Sequence, residues 1–343
     1  MIDFLKILVT DSILIDKFRQ NQLLTPHKRT ERYLDSDLKV IYGETKQYKG
    51  ILFCFYADKM EILFKPHYYF NENKHNANDF LVIDCISVIK WFIQTFEIRE
   101  PQQFKIINIE FGVNALSPID CKDLINYACY HKRNQFVNDN ELRYSKKGFK
   151  FNPNGTANTY ITIKFYDKGL QFSNYADINT FRFEVKSRRS QYINTLGVGC
   201  LNDLLNFKVY QEMKTALLGE FSQVLILDND NKGENLDKRQ KNKLREYLNP
   251  IKWDGLLQSK NRTAFNQTKQ RYFDLLDKTG RNIHKDLYRI IEEKLNKLLA
   301  DETCTYFPPV EKNEKCTYFP ISIMEKRTCL GNRKCPITDI ACH

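Results

Sequence analysis

The chain has 343 residues, 42% of them hydrophobic and 13% aromatic, enough apolar material for one large domain or two modest ones. Lys and Arg number 53 against 42 Asp and Glu, and the formal net charge of +11 points to a polyanionic partner, most simply nucleic acid. With 13 Gly and 10 Pro a collagen-like or long low-complexity chain is excluded, and no apolar run approaches the ~18 residues that a membrane helix needs.

The opening "MIDFLKILVT" carries Asp3 and Lys6 inside its apolar run. It lacks the features of a signal peptide and reads as a first strand, so a cytosolic protein without a membrane partner is expected. "LKVIYGE", "KGILFCFYADKMEILFK" and "FKIINIEFGVN" have strand composition, with "ADK" as a hairpin turn. "CISVIKWFIQTFEI" (Cys85 to Ile98) has helical spacing. "SPIDCKDLINYACYHKRNQF" opens with Ser117 and Pro118, an N-cap and a first-turn proline, and predicts a second helix. "SKKGFKFN", "TYITIKFYDKG" and "TFRFEVKSRR" return to strands, the first two joined by the turn "NPNGTAN". The fold class read from these elements is α+β, an antiparallel sheet with helices on one face, followed by a helical region.

From Cys200 to Ala300 the apolar spacing is helical. Inside it lies a Lys- and Arg-rich stretch with sparse apolar anchors: Leu236, Leu244, Leu248, Ile251 and Trp253. It reads as a basic arm for DNA or, more plainly, as a solvated helix face. Three regions are expected: 1–195, the sheet with the chemistry; 196–300, helical and basic; and 301–343, a Cys-rich tail. Cys54, Cys85, Cys121, Cys129 and Cys200 read as reduced, mostly buried thiols. The tail holds Cys304, Cys316, Cys329, Cys335 and Cys342 and repeats "CTYFP" once. Its Cys spacings match no zinc motif, and free thiols are the simpler reading.

Period-two alternation places Tyr166 and Lys168 on the polar face of one strand, opposite Ile161, Ile163 and Phe165. Arg182, Glu184, Lys186 and Arg188 share a face on a second strand. Asn108, Glu110, Gly112 and Asn114 do so on a third, opposite Ile107, Ile109, Phe111 and Val113. If the strands are neighbours, Tyr166, Lys168, Glu110 and Glu184 converge. Two carboxylates suit Mg2+ or Mn2+, and a phenol beside a metal-bound phosphate can serve as nucleophile, with Lys168 stabilising the developing charge. The plainer reading is a set of cross-strand pairs on a wet face.

At these residues the chain resembles the replication-initiation endonucleases of filamentous phages, the gene II type, and their plasmid relatives. The similar stretches occur in the same order over residues 1–210: "MIDFLKILVTDSILID", "KHN", "INIEFGVNALSP", "IKFYDKGLQF" and "FRFEVKSRRSQYINTLGVGCLNDLL". The resemblance implies that Tyr166 attacks a phosphodiester of a double-strand origin, assisted by Lys168. It would keep a 5′-phosphotyrosine and free a 3′-OH, and the displaced strand would later be rejoined. It implies Glu110, Glu184 and His75 as ligands of Mg2+ or Mn2+. The partners implied are double- and single-stranded origin DNA, with a host helicase and polymerase. Phosphate contacts are expected from Arg182, Lys186, Arg188, Arg189, Lys238, Arg239 and Arg245. Two departures stand out: the chain has no His-hydrophobe-His pair, and no second tyrosine at helical spacing from Tyr166. Tyr192 is expected to pack, and Asp167 to face away from Tyr166. The alternatives are a non-catalytic origin-binding protein and, disfavoured by the strand position of the tyrosine, a tyrosine recombinase.

Overall fold

The computed structural model describes residues 1–33, 40–140, 142–259 and 262–300. The Cys-rich tail lies outside these residues, as do Leu38 and Lys39. In chain order the elements are β1 (Ile2–Val9), α1 (Ser12–Arg19), β2 (Thr25–Tyr33), β3 (Val40–Tyr48), β4 (Ile51–Phe55), β5 (Met60–Phe64), α2 (Pro66–Phe70), α3 (Val82–Thr95) and β6 (Lys105–Leu116). They continue with α4 (Cys121–Tyr127), β7 (Ala128–His131), β8 (Asn134–Asn138), β9 (Ser145–Phe151), β10 (Ala157–Asp167), α5 (Lys168–Gln171), β11 (Thr180–Ser187) and α6 (Ser190–Thr195). The last are α7 (Phe207–Phe221), β12 (Val224–Ile226), α8 (Lys238–Leu248), α9 (Pro250–Gln258), α10 (Arg262–Thr279) and α11 (Ile283–Leu299). The fold is α+β, built on a twelve-stranded antiparallel sheet in the order β12-β7-β8-β9-β10-β11-β6-β1-β5-β4-β3-β2.

Alternation builds the core. Ile163 and Phe165 of β10 and Phe181, Phe183 and Val185 of β11 are fully buried, and Phe221 of α7 packs edge-on against Phe183 with centroids 5.2 Å apart. Phe92 of α3 stacks on Phe64 at 5.1 Å. Leu287, Ile291 and Leu295 of α11 join the same cluster. Each such side chain contributes about 1.5–3 kcal/mol by leaving water. The first core therefore runs across the boundary expected near residue 195, because α7 and α11 close over the sheet. The basic stretch folds as α8, α9 and α10 around a second core of Trp253, Phe265, Tyr272, Leu244 and Tyr247. Of its expected anchors Leu236, Leu244 and Trp253 are buried, Leu248 packs partly, and Ile251 is 74% exposed.

Three local expectations change. The helix expected from Ser117 starts later, capped by Asp120, whose side chain accepts from Lys122 N at 2.8 Å. It ends at Tyr127, where Ala128, Tyr130 and Phe136 bury at strand spacing in a hairpin turned at Lys132, with φ of 56°. In β6 the core residue is Ile106 rather than Ile107: a bulge against β1 inserts one extra residue and shifts the alternation. The five cysteines of residues 1–300 are free thiols, two of them fully buried. Among the described residues no helix is long and apolar enough to cross a membrane.

Candidate active site

Strands β10, β11 and β6 are adjacent, and their register brings the polar residues together. Tyr166 pairs with Arg182, Lys164 with Glu184, Arg182 with Asn114, Glu184 with Gly112, and Lys186 with Glu110. Gly112 is needed here. A side-chain carbon at that position would sit 2.5 Å from the Phe183 carbonyl and 3.0 Å from Arg182 Nη2. The face is not wet, as expected from the sequence, but closed over by α2, the 71–79 segment and α5. Glu184 and Arg182 are each 2% exposed, Tyr166 6% and Glu110 8%. What remains open is a cleft of about 420 Å3, lined by Tyr166, Lys168, Glu110, Glu184, Lys164 and Asn76 among others.

Asp3 is the site residue that sequence reasoning missed. Its parity puts it in phase with the apolar Leu5 and Ile7, but a bulge between Ile2 and Phe4 turns it toward the polar side. There it accepts from Arg182 Nη2 and from His67 Nδ1, the latter at 3.3 Å. Its signal was a lone carboxylate in an apolar strand, a group that is buried only with a partner. Arg182 completes the frame: Nε donates to Glu184 Oε2 at 3.1 Å and Nη1 to Asn114 Oδ1 at 2.7 Å. A planar guanidinium fixing three partners suits an internal brace, and it corrects the expectation that Arg182 contacts a DNA phosphate.

Lys168 also departs from expectation. The strand stops at Asp167, and Lys168 opens α5. Asp167 faces away from the cleft and accepts from Leu170 N at 2.7 Å as the helix cap, so it does not join the site. Gly169 lets α5 lie against the backbone of Asp177 and Ile178, where any side-chain carbon would collide. Lys168, fully buried, donates to Asn76 Oδ1 at 2.5 Å and to Gln171 Oε1 at 2.9 Å, with its ammonium 5.4 Å from the Tyr166 ring centre.

Burial and the neighbouring Arg182 cation push Lys168 down to about 7. Burial, then the Glu184 charge, hold the Tyr166 phenol well above its ordinary value. Its hydroxyl lies 3.5 Å from Glu184 Oε2. Burial and the adjacent Glu110 carboxylate push Glu184 up to about 8. For Glu110, burial is outweighed by the hydrogen bond from Glu184 and the cations of Lys164 and Lys186, so it stays ionised. Asp3 is likewise held low, chiefly by Arg182 against the cost of burial. The two glutamates thus retain one proton between them.

Glu110 and Glu184 are oxygen donors of the kind that Mg2+ or Mn2+ takes, and they would hold such an ion only after giving up their shared proton. Lys164, 2.7 Å from Glu110 Oε1 and 3.1 Å from Glu184 Oε1, bridges the two carboxylates. The expected third ligand is not in the set. His75 stacks on Tyr175, its Nδ1 accepting from Ala77 N at 3.3 Å. Among the described residues no three or more His, Cys, Asp or Glu side chains are arranged to hold a metal. Of the expected DNA contacts, Arg188, Arg189, Lys238, Arg239 and Arg245 are exposed. Lys186 is spent on Glu110 at 2.7 Å, half-buried. Tyr192 packs edge-on against Tyr160, 5.8 Å between centroids. No family model, curated protein or solved structure matches the chain.

Proposed function

We propose that the protein is a rolling-circle replication initiator of the filamentous-phage gene II type, a nicking and joining endonuclease on a nuclease-like sheet. The observation that carries this reading is the convergence of Tyr166, Lys168, Glu110 and Glu184 on one cleft. The Tyr166 hydroxyl lies 3.5 Å from Glu184 Oε2, so Glu184 can take the phenol proton once its own proton has left, as it must when a metal ion binds. As Tyr166 Oη bonds to phosphorus, the bond from phosphorus to the 3′ oxygen breaks. The 5′ phosphate stays on the tyrosine, and the released 3′ oxygen takes up a proton. Lys168, balanced between amine and ammonium near neutrality, is suited to move that proton or to face the phosphate as a cation. Glu110 and Glu184 would hold Mg2+ or Mn2+, which polarises the phosphoryl oxygens when bound. Lys164 would yield its place between them.

The runner-up, a non-catalytic origin-binding protein, is favoured by the pairing of Asp3, Glu110 and Glu184 with Arg182, Lys164 and Lys186, a pattern that a purely structural network also has. One assay separates the two. With Mg2+ and supercoiled DNA bearing its own origin, the native chain is expected to nick and to carry a 5′-DNA adduct on Tyr166. Tyr166→Phe is expected to bind without nicking. An adduct on another residue removes the site assignment, and binding by the native chain without any nick leaves the runner-up.

A further inference from the structure

Beside the catalytic cleft, aromatic rings continue outward. Tyr68, on the cleft wall, meets Phe172 with centroids 6.3 Å apart. Phe172 lies 6.4 Å from His75, and His75 stacks on Tyr175 at 3.9 Å and 22°. Tyr175 is 48% exposed and lines a second, polar cleft of about 450 Å3. The two clefts share a wall: Asn76 and Gln171 face the first, Ala77 and Ser173 the second. The ladder therefore leads from the wall of the cleft to a half-exposed ring stacked on an imidazole. A tyrosine kept for packing buries its ring. This one is stacked on an imidazole and still half exposed.

We infer that Tyr175, backed by His75, is a stacking platform for an unpaired nucleobase of single-stranded DNA next to the catalytic cleft. The inference rests on the proposed nicking reaction, which yields a displaced strand. Only unpaired bases offer their faces to aromatic side chains, and such stacking tolerates any sequence. The linings of both clefts mix acids with lysines, so the rings rather than charge would hold the base, with one cation beside the ladder: the Lys168 ammonium lies 4.5 Å from the Phe172 ring centre. The residue expected to bind metal, His75, thereby gains a different task.

The test uses the full chain carrying Tyr166→Phe, so that the strand stays intact, and a short single-stranded oligodeoxynucleotide with 2-aminopurine placed at successive positions. Binding is expected to quench fluorescence at one position. Adding Tyr175→Ala should abolish the quench and weaken binding about tenfold or more, whereas Tyr175→Phe should keep both. Thermal melting checks that each variant is folded. Unchanged affinity and quench in Tyr175→Ala, or binding with no quench at any position, overturns the platform. Nicking by the native chain, followed in parallel, keeps the two readings apart. A nick without a Tyr175 effect sinks the platform alone, and a Tyr175-dependent quench without a nick sinks the reaction alone. Neither binding nor nicking sinks both.

Discussion

Tyr166 and Lys168 are neighbours in sequence but titrate under different constraints, and the consequence is measurable. Lys168 falls from 10.5 to about 7 on folding. Between these values the unfolded chain binds the extra proton, so this residue makes stability rise with pH. Glu184 goes from 4.5 to about 8. Across that window the folded chain holds the extra proton, so its contribution is full below pH 4.5 and is lost as pH rises toward 8. The slopes oppose each other only where the windows overlap. Lys168→Met is expected to remove the rise above pH 8, and Glu184→Gln the fall between pH 4.5 and 7, in urea midpoints taken at stepped pH. A Lys168→Met curve parallel to the native one above pH 8 would refute the first assignment. Alternation was enough to single out Glu110 and Glu184, mid-strand with apolar neighbours in the other phase, and Tyr166, which ends the polar phase of β10 opposite Ile161, Ile163 and Phe165. It could not reveal that Arg182 is enclosed, because the covering segment, 65–79, has no periodicity to read. Nor could it recover Asp3, whose parity is reset by a bulge.

Among elements, α5 is the piece on which the site depends most for its size. It has four residues and one side-chain cap, from Asp167. Asp167→Ala should cost about 1 kcal/mol by denaturant melting, an ordinary N-cap loss. It should reduce nicking by more than that stability loss explains, because the helix start also positions Lys168. Equal nicking by Asp167→Ala and the native chain would show that the cap holds nothing of the site. The strands β4, β5, β6, β9, β10 and β11 and the helices α3, α7 and α11 were legible from spacing, which reports local burial. The β7–β8 hairpin was not, since "ACYHKRNQF" follows a true helix without Gly or Pro, and its strand state comes from pairing with β9 and β12. Tertiary pairing overrides propensity in such short segments.

For the molecule as a whole, the basic surface has a definite expectation attached. Arg188, Arg189, Lys238, Arg239 and Arg245 are exposed. If they meet phosphates, replacing Arg188 and Arg189 by Ala should make the log–log salt dependence of duplex binding shallower by about 2, roughly one per lost contact. An unchanged slope would move the DNA path elsewhere. The +11 charge carries the expectation of a polyanion but no route for it, since composition has no geometry. The ion pair of Asp3 with Arg182 spans 179 positions of sequence. While β11 is undocked, a chain that has already buried Asp3 holds an unmatched charge in an apolar setting, a costly arrangement. Early collapse around β1 is thus discouraged, and the cleft closes only when the two ends of this long loop meet. Such late, distant closure is slow. It makes the cleft a reporter of complete folding, since a partly folded chain has not yet brought Asp3, Arg182 and Glu184 together.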